Sequence, residues 1–309
     1  MNSNRRNFIR QSAIMSSAFC LSSLPSFAAP PAGSVRAGFR LIVLATNWGY
    51  TRSISEFCKE IKQAGYDGLE IWWPAETAAQ EELFAALEKY ELQVGYLCAG
   101  YDSDYTKHAQ QFETMLKAAT SHHKIKPLYI NSHSGRDYFT FDQNCALIDL
   151  TTKISKQSGV PIYHETHRSR MLFAAHIARQ FIEAKPELRL TLDISHWCNV
   201  HESLLQDQSA TVAKALERAS HIHARIGHPE GPQVNDPRAP EWTDAVKAHF
   251  SWWDQVVKYH QTAGKPLTFL TEFGPVDYLP ALPYTRQPVA NQWDINVYMM
   301  KQLKQRYGQ

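Results

Sequence analysis

The chain has 309 residues, 44% of them hydrophobic and 12% aromatic, with eight tryptophans. That supplies a large core, and a single α/β barrel needs about 250 residues. The formal charge of +2 depends on Arg5, Arg6 and Arg10, with no acidic residue in the first 30; without those three the balance is slightly acidic, which excludes a global field drawing the protein to nucleic acid or an anionic membrane.

The chain opens with Asn4-Arg5-Arg6-Asn7-Phe8-Ile9-Arg10, continues through a weakly apolar run from Ala13 to Leu24, and reaches Ser26-Phe27-Ala28-Ala29-Pro30. A charged region, an apolar region and a small-residue cleavage site stand in the order of an export signal. The pattern resembles a twin-arginine signal, with Phe8 two places after the second arginine. Residues 1–28 are therefore expected to be removed and the mature protein to be periplasmic, exported already folded. The apolar run is too short and too serine-rich to span a bilayer, so no stable membrane association is expected. Cys58, Cys98, Cys145 and Cys198 are widely spaced with no CxxC, which reads as buried thiols.

From Arg36 to the C-terminus the spacing predicts one domain in which strands alternate with helices eight times. The strands are Phe39–Trp48, Gly68–Trp73, Leu92–Gly100, Pro127–Ser134, Val160–His167, Leu188–His196, Ser220–Ile226 and Leu267–Phe273. Between the first two, Ser53–Ala64 puts Ile54, Phe57, Cys58 and Ile61 on one helical face. Glu81–Tyr90 and Leu172–Ala184 repeat that pattern. Gly65, Gly159 and Gly264 follow helical runs as C-cap glycines do, and Pro161 and Pro266 stand where strands start. Eight βα units in order, with no second β-rich block, predict a closed parallel (β/α)8 barrel. A doubly wound open sheet would carry a glycine-rich loop after its first strand, where this chain has Thr46-Asn47-Trp48-Gly49-Tyr50. The segment His228–Glu241, with Pro229, Gly231, Pro232 and Pro237, reads as the one long irregular loop.

Functional groups of such a barrel gather at the C-terminal strand ends. Strand 2 offers Glu70 and strand 4 Asn131-Ser132-His133. Strand 5 ends in His164-Glu165-Thr166-His167-Arg168 and strand 6 in Asp193-Ile194-Ser195-His196. Strand 7 carries His221, His223 and Arg225, and strand 8 Thr271-Glu272-Phe273-Gly274. The alternation of strand side chains puts Glu165 with His167 on one face and His221, His223 and Arg225 on one face. One Glu, one Asp, one His and one Glu from four consecutive strands can meet on one ion, and that donor set suits Mn²⁺, Mg²⁺, Co²⁺ or Zn²⁺ rather than copper or an Fe–S cluster.

These segments resemble the xylose isomerase-like barrel superfamily, often labelled sugar phosphate isomerase/epimerase. The motifs that carry the likeness are Tyr66-Asp67-Gly68-Leu69-Glu70-Ile71, His164-Glu165-Thr166-His167-Arg168, Leu192-Asp193-Ile194-Ser195-His196-Trp197, His221-Ile222-His223 and Thr271-Glu272-Phe273-Gly274. The resemblance implies Glu165, Asp193, His223 and Glu272 as metal ligands, with Mn²⁺ the foremost cofactor. It implies His196, three residues after the Asp, and Arg225 as substrate contacts, although Arg225 follows the strand-7 histidine more closely than in ketose epimerases. His133 and His167 enter the same mouth. The loop Gly227–Val234 departs from the epimerase pattern, and no phosphate cradle is visible, which points to a free sugar, keto-sugar or glycoside.

The implied activity is that of an isomerase or epimerase. Glu165 and Glu272 would move a proton at a carbon beside a carbonyl while the cation stabilises the enediolate. A 3-keto-glycoside lyase or hydratase would use the same residues. The remaining alternative is a non-catalytic carbohydrate-binding protein. The expected partner is a small-molecule sugar or keto-glycoside and not nucleic acid; a homo-oligomer is compatible with the sequence.

Overall fold

A computed structural model describes residues 38–121 and 124–308; the expected signal, residues 1–28, lies outside them. Eight parallel strands close on one another in chain order. They are β1 (Leu41–Thr46), β2 (Gly68–Trp72), β3 (Gln93–Cys98), β4 (Ile130–Ser132), β5 (Ile162–Glu165), β6 (Leu190–Leu192), β7 (Ala219–His223) and β8 (Leu267–Thr271). The expected (β/α)8 barrel is the fold. The principal helices are α1 (Ile54–Ala64), α2 (Thr77–Tyr90), α3 (Tyr105–Ser121), α4 (Phe141–Ser158), α5 (Ala175–Ala184), α6 (Ser195–Val200), α7 (Ser209–Arg218), α8 (Thr243–Ala263) and α9 (Gln292–Tyr307). Among the described residues, no helix is long and apolar enough to cross a membrane.

Local chemistry sets several of these boundaries. Ser53 caps α1 by accepting from the Glu56 N–H, and the Glu56 side chain accepts from the Ser53 N–H in return. This reciprocal capping satisfies two otherwise free donors. Phe57, Cys58 and Ile61 are the buried side of the helix, each contributing roughly 1–3 kcal/mol of apolar burial. Gly65, Gly159 and Gly264 end α1, α4 and α8 with φ of 100°, 66° and 62°, the left-handed region that glycine enters without strain. Cys58, Cys98, Cys145 and Cys198 are unpaired buried thiols.

The strands are shorter than the hydrophobic runs suggest. β6 stops at Leu192 because Asp193 turns the chain: its Oδ1 accepts from the N–H and Oγ–H of Ser195. Such a local side-chain bond competes with the sheet ladder and starts α6, so His196 stands on a helix. The His228 segment is a tight antiparallel turn, with His228 and Gly231 exchanging backbone hydrogen bonds of 2.8 and 3.1 Å. Inside the barrel, Ile42, Leu44, Tyr129 and Leu270 pack together below the mouth, with Leu128 and Tyr163 against them.

Candidate metal centre and active site

The site is built from inward residues of successive strands, whose side chains alternate between barrel interior and helix layer. His164 shows the outward case: its Nε2 lies 2.7 Å from Thr151 Oγ1 on α4. Its neighbour Glu165 turns inward, and Asn131 Nδ2 donates to Glu165 Oε2 at 2.9 Å. That leaves Oε1 facing His223 Nδ1 at 3.7 Å. Asp193 Oδ2 lies 4.0 Å from the same nitrogen and Glu272 Oε2 2.8 Å from it. The structure thus brings Glu165, Asp193, His223 and Glu272 together.

His223 Nδ1 and Glu272 Oε2 are buried, and neither has a hydrogen-bond partner. An uncompensated buried polar atom is costly, and here two of them aim into one space between carboxylate oxygens. The charges point the same way. Glu70, Glu165, Asp193 and Glu272 converge where Arg225 and His223 are the nearest cations. A divalent ion offsets this excess of buried negative charge. Donors each about 2.0–2.3 Å from an ion stand up to roughly 4 Å apart, which matches these separations. The donor set fits a hard or borderline divalent metal held by Glu165, Asp193, His223 and Glu272.

Below this group lies a support whose roles the sequence did not disclose. His223 Nε2 stands 3.2 Å from Glu70 Oε1, so the imidazole presents Nδ1 to the centre and its other nitrogen to a carboxylate. This is the usual way a ligating histidine is oriented. Tyr129 O–H donates to Glu70 Oε2 at 2.8 Å, and His221 Nε2 lies 3.0 Å from the phenol oxygen. Room for Tyr129 exists because residue 95 is glycine: a Cβ there would meet the Tyr129 ring at 2.5 Å. Gly95 pairs in register with Glu70, so one missing side chain seats the phenol under the carboxylate. Burial pushes the Glu70 carboxyl up, but His223 and His221 outweigh it and hold it well below the usual carboxylate range. Burial likewise opposes charge on His223, and Glu272, Glu70 and Glu165 override it, raising this histidine well above its ordinary value.

Burial raises Glu165 to about 8; His223 opposes this, while Glu272, Asp193 and Glu70 add to it. Arg225 ion-pairs with Asp193 Oδ2 and approaches Glu272 Oε2 at 3.5 Å. Burial works against its charge, yet these carboxylates hold it protonated. His196, expected at the substrate, has no exposed surface. Its Nε2 accepts from Arg225 Nη2 at 2.8 Å and lies 3.6 Å from Asp193 Oδ2, placing it behind the guanidinium. His133 and His167 do reach the cavity wall. Burial, reinforced by neighbouring cations, keeps all three of these histidines well below their ordinary pKa.

The cavity measures about 370 Å³ and is lined by Trp48, Trp72, His133, His167, Arg225 and Tyr278 around Glu165 and Glu272. Trp48 and Trp72 are 38% and 40% exposed. Indoles in this position offer flat apolar faces beside polar groups. Trp48 rests on Gly274, where a Cβ would meet its ring at 2.4 Å. Gln233 fixes that glycine, accepting from its N–H at 2.7 Å and donating to its carbonyl at 3.2 Å. Tyr278 covers Arg225 and Arg168, each guanidinium carbon 4.9 Å from the ring centre. The strand-end reading pointed to Glu70 and Asn131 without giving them roles; Tyr129, Gln233 and Tyr278 carry no local signal.

No family model and no curated protein matches the chain. Solved structures do. A 3-keto-D-glucoside 4-epimerase from E. coli is 14% identical, with 86% of this chain and 100% of that one covered and a TM-score of 0.56. The IolI protein with a bound zinc atom is 13% identical, with 86% and 98% covered and a TM-score of 0.55. A family 2 AP endonuclease from Brucella melitensis is 12% identical, with 84% and 98% covered and a TM-score of 0.54. At such identities the likeness establishes the barrel and leaves function to the site.

Proposed function

We propose that the protein is a divalent-metal-dependent enzyme that moves a proton on a sugar carbon beside a carbonyl, as an isomerase or epimerase. The carrying observation is the meeting of Glu165, Asp193, His223 and Glu272, with the unpartnered His223 Nδ1 and Glu272 Oε2 aimed into one space, at the floor of an indole-walled cavity. The resemblance of the fold to a keto-glucoside epimerase and a zinc-bound barrel supports this reading. Mn²⁺ is the metal we propose first. When bound, such an ion would polarise a carbonyl and adjacent hydroxyl and stabilise the negative charge that follows C–H cleavage.

The chain's own residues do the rest. Glu165 and Glu272 reach the cavity from β5 and the end of β8, so one carboxylate can take the proton and the other return it. Return to the opposite face of the same carbon is epimerisation, and delivery to the next carbon is isomerisation. Trp48 and Trp72 would pack on the sugar's C–H face, and Arg225, His133 and His167 would hold its oxygens. His196 acts through Arg225 and Asp193. The purified protein loaded with Mn²⁺ should catalyse deuterium incorporation from D₂O into free ketoses or 3-keto-glucosides. Absence of exchange across both classes defeats the proposal.

We also propose export by the twin-arginine route, on the strength of Arg5-Arg6 and Ser26-Phe27-Ala28. Replacing both arginines by lysine should trap the precursor in the cytoplasm; unchanged export would refute this.

A further inference from the structure

A second group of donors adjoins the four-residue centre. His133, Glu165 and His167 each offer an atom within 4.8 Å of the others. Glu165 belongs to both groups, an arrangement that invites a second ion bridged through its carboxylate. The hydrogen bonding of His133 stands against this. Arg170 Nε and Nη2 lie 3.3 and 3.2 Å from His133 Nδ1. A guanidinium can only donate, so Nδ1 accepts with its lone pair and the ring proton sits on Nε2. Nε2 is the nitrogen that faces Glu165 Oε2, at 4.0 Å, and a protonated ring nitrogen has no lone pair for a metal.

The chain path explains how Arg170 reaches that position. Beyond β5 it reverses through His167-Arg168-Ser169-Arg170, a turn closed by the Arg170 N–H to the His167 carbonyl at 3.1 Å, with Ser169 at φ 61°. Side chains other than glycine seldom adopt that region. The reversal carries Arg170 back over the end of β4, where Nη1 is tied to the Ser169 carbonyl and Oγ at 3.3 and 3.2 Å. Among the described residues no carboxylate lies within ion-pair distance of Arg170, so its guanidinium is committed to His133 and to its own turn. The His133 ring is boxed by His167 and Trp72, with ring centres 4.5 and 5.7 Å away and near-perpendicular planes.

We infer that Arg170 is a positioning residue that holds His133 as a neutral imidazole protonated on Nε2, a fixed donor on the cavity wall for a substrate oxygen, and that the protein consequently binds one ion and not two. Only the substrate-oxygen clause rests on the proposed sugar chemistry. A donor of this kind strengthens its bond as negative charge grows on the oxygen it touches, without itself losing a proton.

The test uses metal-free, histidine-¹⁵N-labelled protein at neutral pH, with the His133 resonances identified by their loss in His133→Gln. The wild type should show the Nε2-protonated pattern. In Arg170→Glu, whose carboxylate accepts where the guanidinium donated, the proton should move to Nδ1. Separately, protein equilibrated with excess Mn²⁺ or Zn²⁺ and then desalted should hold one ion per chain by elemental analysis. A wild-type His133 protonated on Nδ1, an unchanged pattern in Arg170→Glu, or two ions per chain would each overturn the inference. If Arg170→Glu does not fold, the wild-type spectrum and the ion count still decide it. None of these readouts needs turnover, so a failed sugar assay leaves them standing, and their failure leaves the four-residue centre standing.

Discussion

Replacing Glu70 with Gln removes a charge from beneath the metal centre while keeping the side chain's size. Glu70 Oε1 faces His223 Nε2 at 3.2 Å, while Oε2 accepts from Tyr129 at 2.8 Å and lies 3.3 Å from His221 Nε2. A carboxylate serves both sides because it only accepts. An amide has one oxygen and one NH₂. Turned toward Tyr129, the Gln oxygen leaves NH₂ against the His223 N–H; turned toward His223, it leaves NH₂ against the phenol and His221. One buried hydrogen bond is lost in either rotamer, at about 1–3 kcal/mol. Since His223 keeps its metal-facing nitrogen through this bond, most of that loss should appear as metal affinity, roughly 10–100-fold. The assay is a Mn²⁺ titration in competition with a chelating dye, with Glu165→Gln beside it as the loss of a ligand. Glu70→Gln should bind weakly but measurably. A dissociation constant within about twofold of wild type would mean Glu70 does not orient His223, since a lost buried bond exceeds that margin.

Other substitutions probe neighbouring claims. Glu165→Gln should lose metal and turnover together, read by elemental analysis and deuterium exchange. His196→Ala should retain its metal yet lose most activity, because it removes the acceptor 2.8 Å from Arg225 Nη2; a metal-free variant would place His196 with the ligand scaffold. Gly274→Ala sets a methyl 2.4–2.9 Å from the Trp48 indole and should lower stability by about 1–3 kcal/mol in denaturant unfolding, with metal content unchanged. His249 supplies a pH dependence. Its Nδ1–H donates to the Ala245 carbonyl at 2.8 Å and its Nε2 accepts from the Gly227 N–H at 3.2 Å, which only the neutral ring can do. Burial lowers it to about 4, beneath its unfolded value near 6.5. The unfolded chain therefore takes up the proton first on acidification. This contribution is intact above about pH 6.5 and falls by about 3 kcal/mol on reaching pH 4. Unfolding of His249→Gln should show a flatter slope across that window, and an equal slope would contradict the reading.

The amino-acid order alone determined the barrel, because its signals are local. Glycines after helical runs, prolines before strands and eight apolar runs of strand length each reflect backbone preferences within a few residues, and alternation along a strand assigns inward and outward faces. Glu165, His223 and Glu272 were legible for that reason: each is an inward polar residue at a strand end, and barrel closure puts such ends in one mouth. Asp193 was legible by position, but the helix that its carboxylate starts at Ser195 was not, so His196 was expected at the cavity and stands behind Arg225. The support under the centre came from tertiary structure alone. Tyr129 meets Glu70 across 59 residues of chain, through a space left by Gly95, and Gln233 reaches Gly274 across 41. Arg170 finds His133 across 37 residues, through a turn with a positive φ at serine that no local preference foretells. Those contacts depend on strand register and on the exit path of each loop, which are settled only when all eight strands close and every buried polar group must find a partner at once.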